Sequence, residues 1–211
     1  MSKLPLWRKT DDKTDWLAHC PGHENLKLYY ARTYTSRAGF DCSETNQLIT
    51  NLKIRPSETH RLHYKKRAIQ RFANEVIDGL ALQKSPIVLV PMPPSKTPTH
   101  PDYDDRIDKV AQLVSNALDQ VYYSPLIYRT VDVNAHHIGK SRNPHKIYDH
   151  FSIDEALASN IAETKCLVML DDILTSGAHF TAAKAKLQRR FPNNEIGGLF
   201  WAKAEDPDDF F

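Results

Sequence analysis

Residues 166–181, CLVMLDDILTSGAHFT, hold the side chains of this chain best suited to chemistry. A short apolar run ends in two adjacent carboxylates, Asp171 and Asp172. Two apolar residues follow, then Thr175, Ser176 and Gly177, then a segment with the composition of a helix. The order reads as a strand, a sharp turn and a helix N-terminus. Such a turn can cradle a phosphate on backbone N–H groups. The carboxylates beside it can hold ribose hydroxyls or the water shell of an Mg²⁺ ion. A sugar phosphate carries both parts and is the ligand class this pattern predicts. A buried strand ending in solvated Asp residues with a hydroxyl N-cap accounts for one acid and one cap, but not for the whole ordered string.

Spacing excludes two other phosphate-handling sites. An Asp-x-Asp phosphatase strand needs an acid where Ile173 stands, and a Walker A loop needs a Lys where Ala178 stands. No Gly-x-Gly-x-x-Gly follows an apolar run, which removes the usual dinucleotide fingerprint.

The elements that must position these residues alternate. Residues 26–35 have strand composition, and 46–54 suit a short helix or strand. Ile69, Phe72, Ala73, Val76, Ile77 and Leu80 recur at helical steps. A compact apolar strand follows at 87–92, closed by Pro93 and Pro94, and then a loop over 95–103. Asp104 and Asp105 open a second helix, where acids suit the dipole. Residues 121–129 read as a strand interrupted by Pro125. The polar stretch 130–150, with four His besides Lys140, Arg142 and Lys146, reads as a long loop or lid, and 153–163 as a short helix. The acidic strand then leads to a helix at about 178–190 and a last strand at 196–202. Strands alternating with helices predict an α/β fold with a doubly wound, mainly parallel sheet, whose ligands bind at the carboxyl ends of the strands.

The acidic stretch resembles the phosphoribosyl-pyrophosphate (PRPP) motif of type I phosphoribosyltransferases: apolar residues, two acids, two apolar residues, then Thr-Thr/Ser-Gly-x-Thr/Ser. Only His179 departs, standing where that motif has a hydroxyl. The order of elements over 84–203 is similar to the core of that family. Within it, VPMPPSK (90–96), Arg106 and the basic segment 140–151 resemble the competence-protein F-like branch. The resemblance implies a phosphoribosyltransferase-type core at 84–203, a small hood-like N-terminal subdomain at 1–83 and an acidic tail at 204–211. It implies that Asp171 and Asp172 hold the ribose hydroxyls and, indirectly, Mg²⁺ as cofactor. Thr175, Ser176, Gly177, Ala178 and His179 would cradle the 5′-phosphate. Pro94, Ser95 and the Lys96 cation would meet pyrophosphate, with Lys140, Arg142 and Lys146 as further cations. Thr175 stands where the hypoxanthine-guanine branch has a proton-transferring acid, which disfavours that branch. His19, Cys20 and His23 do not make the paired ligand set of a structural zinc site.

Composition sets the remaining bounds. With 211 residues, 41% hydrophobic and 26% charged, the chain has the make-up of an ordinary globular protein of one sizeable core. No apolar run reaches membrane-spanning length, no signal peptide is recognisable at the start, and three scattered Cys do not suggest a disulfide scaffold, so a cytoplasmic location is expected. A net charge of +2 makes no general case for nucleic acid, yet seven basic residues against one acid between 51 and 72 form a segment (53–71) that a polyanion could use. Three roles follow. One is Mg²⁺-dependent phosphoribosyl transfer from PRPP with release of pyrophosphate, by a glycosyltransferase of nucleotide metabolism. The others are a non-catalytic module that senses PRPP or a nucleotide, and a competence-like protein acting with DNA. The resemblance adds a homodimer as an expected assembly.

Overall fold

The computed structural model describes residues 7–10, 26–133, 143–162 and 165–205. Eight strands and six helices alternate along it: β1 (Arg8–Lys9), β2 (Leu28–Thr35), α1 (Glu44–Leu52), α2 (Leu62–Leu80), β3 (Ile87–Pro91), α3 (Arg106–Ala117), β4 (Val121–Tyr123), β5 (Ile127–Arg129), α4 (Pro144–Tyr148), β6 (Phe151–Ile153), α5 (Glu155–Ala158), β7 (Cys166–Leu174), α6 (Ala178–Arg190) and β8 (Ile196–Glu205). The main sheet runs β1-β2-β8-β7-β3-β4. All its pairings are parallel except the short β1–β2 pair at the edge. Among the described residues no helix is long and apolar enough to cross a membrane.

The sheet is covered on both faces. On one side α1, α2 and α3 bury Ile49, Phe72, Val76, Val110 and Val114 against Leu89, Leu170 and Trp201. The Phe72 and Trp201 rings stack there at 4.7 Å. On the other side α6 and α4 bury Phe180, Leu187 and Ile147 against Val88, Met169 and Phe200. The apolar runs of β3 and β7 are thus shielded from water on both faces, as strands of a parallel sheet must be.

The boundary expected at residue 83 does not divide this core. β2 pairs along β8 from Leu28–Gly198 to Thr35–Glu205, and α1 and α2 share a core with α3. A buried polar knot fastens the two parts. The Glu75 carboxylate of α2 accepts from Arg32 of β2 at 2.6 and 2.9 Å, from the Trp201 indole of β8 at 2.7 Å and from Arg71 at 2.6 Å. Four donors on one wholly buried carboxylate satisfy it as burial requires.

Other elements end where backbone chemistry dictates. The strand expected over 121–129 is two strands. β4 joins the main sheet, the chain leaves at Ser124–Pro125, and β5 pairs instead with β6 as a separate antiparallel ribbon. Proline cannot donate to a ladder, so a strand breaks there. The 130–150 stretch is not wholly a loop, because Asn143 caps α4 through its side chain. His136, His137, Lys140 and Arg142, the His19–His23 cluster and residues 206–211 of the acidic tail lie outside the described residues.

Candidate functional site

The winding direction changes between β3 and β7. The helix after β3 leads to β4 on one side, and the helix after β7 leads to β8 on the other. Those two helices lie on opposite faces of the sheet. A crevice opens at the carboxyl ends of neighbouring strands arranged in this way. β3 and β7 pair up to Pro91–Leu170, and the Met92 N–H donates once more to the Leu170 carbonyl at 2.8 Å. Pro93 and Pro94 have no N–H to continue, so the chains part. A cleft of about 850 Å³ lies beyond.

β7 runs through the acids rather than stopping before them. Asp171 and Asp172 are both within the strand, with Leu174 as its last residue. The turn Thr175-Ser176-Gly177 follows directly. Gly177 adopts φ 78° and ψ 0°, left-handed backbone that an L side chain resists. No side chain caps α6. Its first N–H groups lack helical acceptors and carry the positive end of the dipole.

The structure brings most of the expected residues together. Asp171, Asp172, Thr175, His179, Pro94, Ser95 and Lys96 all line the cleft. Ser176, Gly177 and Ala178 complete the turn without lining it. Lys146 lies exposed on α4 and outside the cleft. Sequence reasoning missed Lys53, Arg55 and Arg129, which also line it.

Asp172 sits in a network of cations. One carboxylate oxygen accepts from Arg106 Nε at 3.0 Å and Nη2 at 2.8 Å, and the other lies 3.3 Å from Lys53 Nζ. Arg106 also reaches Asp104 at 2.6 Å, where Lys65 Nζ arrives at 2.7 Å while donating to the Ile54 carbonyl. Arg106 forms no ion pair with its near neighbours Asp102 and Asp105 among the described residues. The basic segment is likewise partly internal. Lys65 is buried, Lys53 faces Asp172, and Arg61 and Arg71 pair with Glu58 and Glu75. Arg55, Lys66 and Arg67 form no ion pair among the described residues.

These surroundings split the two acids. Burial would raise the Asp172 carboxyl, but Lys53 and Arg106 outweigh it and hold the group down at about 2. Asp171 moves the other way, to about 7, because it is shielded from water and lies beside the Asp172 charge. The Asp172 N–H donates to it at 2.8 Å and opposes part of that rise. His179 is depressed to about 4 by burial and by the nearby Arg129 and His150, so its imidazole is neutral at neutral pH. The Arg129 guanidinium lies over the Phe151 ring at 4.8 Å and donates from Nε to the Pro94 carbonyl at 2.8 Å.

The acids are a poor cage for a directly coordinated Mg²⁺. Asp172 already faces two cations, the Asp171 carboxyl is pushed up by burial and by the Asp172 charge, and no cluster of three His, Cys, Asp or Glu among the described residues could hold a metal. A cleft lined by acids, cations and the Thr175 and His179 side chains beside a helix N-terminus can bind a polyhydroxylated anion.

No protein-family model matches the chain, and no curated protein does. A crystal structure of a hypoxanthine phosphoribosyltransferase from Staphylococcus aureus is similar over 67% of this chain and 64% of its own, with 19% identity and a TM-score of 0.32. The chain therefore spans less than two thirds of that structure, and a likeness this slight carries no weight for the site.

Proposed function

We propose that the cleft binds a ribose 5-phosphate ligand, with PRPP as the donor, and transfers its phosphoribosyl group to a nitrogen nucleophile with release of pyrophosphate. One observation carries this reading. The paired acids of β7 and the uncapped, Gly177-turned head of α6 flank the same cleft as the Pro94-Ser95-Lys96 turn. The 5′-phosphate fits the α6 head. The ribose hydroxyls fit the acids, with Asp172 as the ionised acceptor and Asp171 able to donate when protonated. Pyrophosphate fits the Lys96 side. In the reaction the nitrogen bonds to ribose C1 while the C1–oxygen bond to pyrophosphate breaks, and the leaving group departs with the electron pair. Cations near that oxygen stabilise the charge as it develops. Mg²⁺ would arrive on the pyrophosphate rather than occupy a cage made by the chain.

The cations on Asp172 favour a second reading, binding without turnover. A ribose hydroxyl must compete there with Arg106 and Lys53, and His179 replaces a hydroxyl at the phosphate turn. Incubation with PRPP, Mg²⁺ and a panel of nitrogenous bases, following pyrophosphate, tests both. Release that depends on a base and is lost in Asp172→Asn supports transfer. PRPP binding with no release under any base supports the sensing module, and no PRPP binding ends both.

A further inference from the structure

Arg129 is the feature that the ribose-phosphate reading leaves unexplained. It is 5% exposed, and although Asp171 lies near enough to favour its charge, it forms no ion pair among the described residues. Its hydrogen bond runs from Nε to the Pro94 carbonyl, and among the described residues neither terminal nitrogen has a hydrogen-bond partner. The side chain lines the cleft together with His179, in the first turn of α6, and its charge opposes protonation of that imidazole. A lone buried charge opposes folding, and folds that retain one commonly use it.

We propose that Arg129, projecting from β5 rather than from the turn itself, is the fixed cation of a phosphoryl subsite at the head of α6. The head of α6 offers backbone N–H groups, and His179, neutral at neutral pH, adds no charge to them. A phosphomonoester there needs a full positive charge nearby. The guanidinium supplies it through its free edge, with a planar pair of donors that matches two phosphate oxygens. Its Nε bond to Pro94 and its seat on Phe151 fix the side chain in advance, so little freedom is lost on binding. The inference rests on the ribose-phosphate reading for the identity of the anion, and on Arg129 alone for the charge.

Calorimetric titration of inorganic phosphate and of ribose 5-phosphate into the full chain, R129M and R129K tests it, with melting curves in phosphate-free buffer. R129M is expected to melt no lower than the parent, because an unpaired buried charge has gone. It should bind both ligands roughly tenfold to a hundredfold more weakly. R129K should recover part of the affinity. Unchanged affinity in R129M overturns the inference. So does a lower melting temperature for R129M in phosphate-free buffer, since the guanidinium would then serve Pro94 and Phe151. The two readings fail separately. Phosphate binding through Arg129 with no PRPP binding sinks only the ribose reading, whereas PRPP turnover with normal phosphate affinity in R129M sinks only this one.

Discussion

Arg106 places Nε and Nη2 at 3.0 and 2.8 Å from the same oxygen of Asp172, across 66 residues of sequence. The pair joins the start of α3 to the end of β7, and both residues line the cleft. Asp172→Asn keeps the shape and removes the charge. The variant should lose roughly 2 kcal/mol in urea unfolding, less than the cost of orphaning a fully buried ion because Asp104 still holds Arg106. Lys53→Met removes a side chain that is 41% exposed and should cost less than about 1 kcal/mol.

Between about pH 4 and 7 two buried groups pull stability in opposite directions: the raised Asp171 carboxyl lowers it as pH rises, and the depressed His179 imidazole, which folding keeps neutral, raises it. The Asp171 carboxyl is raised in the folded chain, so in that window the folded state keeps a proton that the unfolded state has released. Asp172 has the opposite sign. Its carboxyl is depressed, and its stabilisation is present above the ordinary carboxylate value and lost as pH falls toward 2. Asp171→Asn should shift the slope between pH 4 and 7 in the positive direction in chemical unfolding, leaving the His179 contribution. An unchanged slope would mean that other groups produce it.

The turn before α6 should tolerate only residues that accept left-handed backbone. Gly177→Ala is expected to lower stability by about 1–2 kcal/mol, and Gly177→Asn by less, in denaturant titrations. If ribose 5-phosphate binds where proposed, its affinity should fall in Gly177→Ala too.

The Glu75 knot gives the largest expected loss. Glu75→Ala leaves the Arg32 guanidinium buried beside Glu44 alone and strips the acceptor from the Trp201 indole. The cost should be about 3–5 kcal/mol, read as a lower urea midpoint.

What the sequence reveals divides by distance along the chain. The β7–turn–α6 unit is local, and its pattern names it almost residue by residue. The sheet membership of β2 is not local, because nothing in 28–35 points to β8 as its partner. Arg106 is visible in the sequence and one of its partners, Asp104, is local, but the other lies at position 172, which no neighbouring residue signals. Lys65 reads as one charge in a basic run. Yet Lys65, Ile69, Phe72 and Val76 share one face of α2, and that spacing is the signal that it turns inward. Glu75, three residues after Phe72, carries the same mark. Arg129 gives no such sign, since its burial is set by a strand that leaves the main sheet.

β8, the last of the described strands, lies between β2 and β7. The middle of the sheet is therefore filled only after both of its neighbours have been synthesised. Leu28 has to wait for Gly198 to emerge, and until then β2 and β7 each present an open ladder edge. Long-range parallel pairing of this kind closes slowly, and open edges invite the wrong partner. A nascent chain stalled before residue 196 should be the form most dependent on protection from self-association.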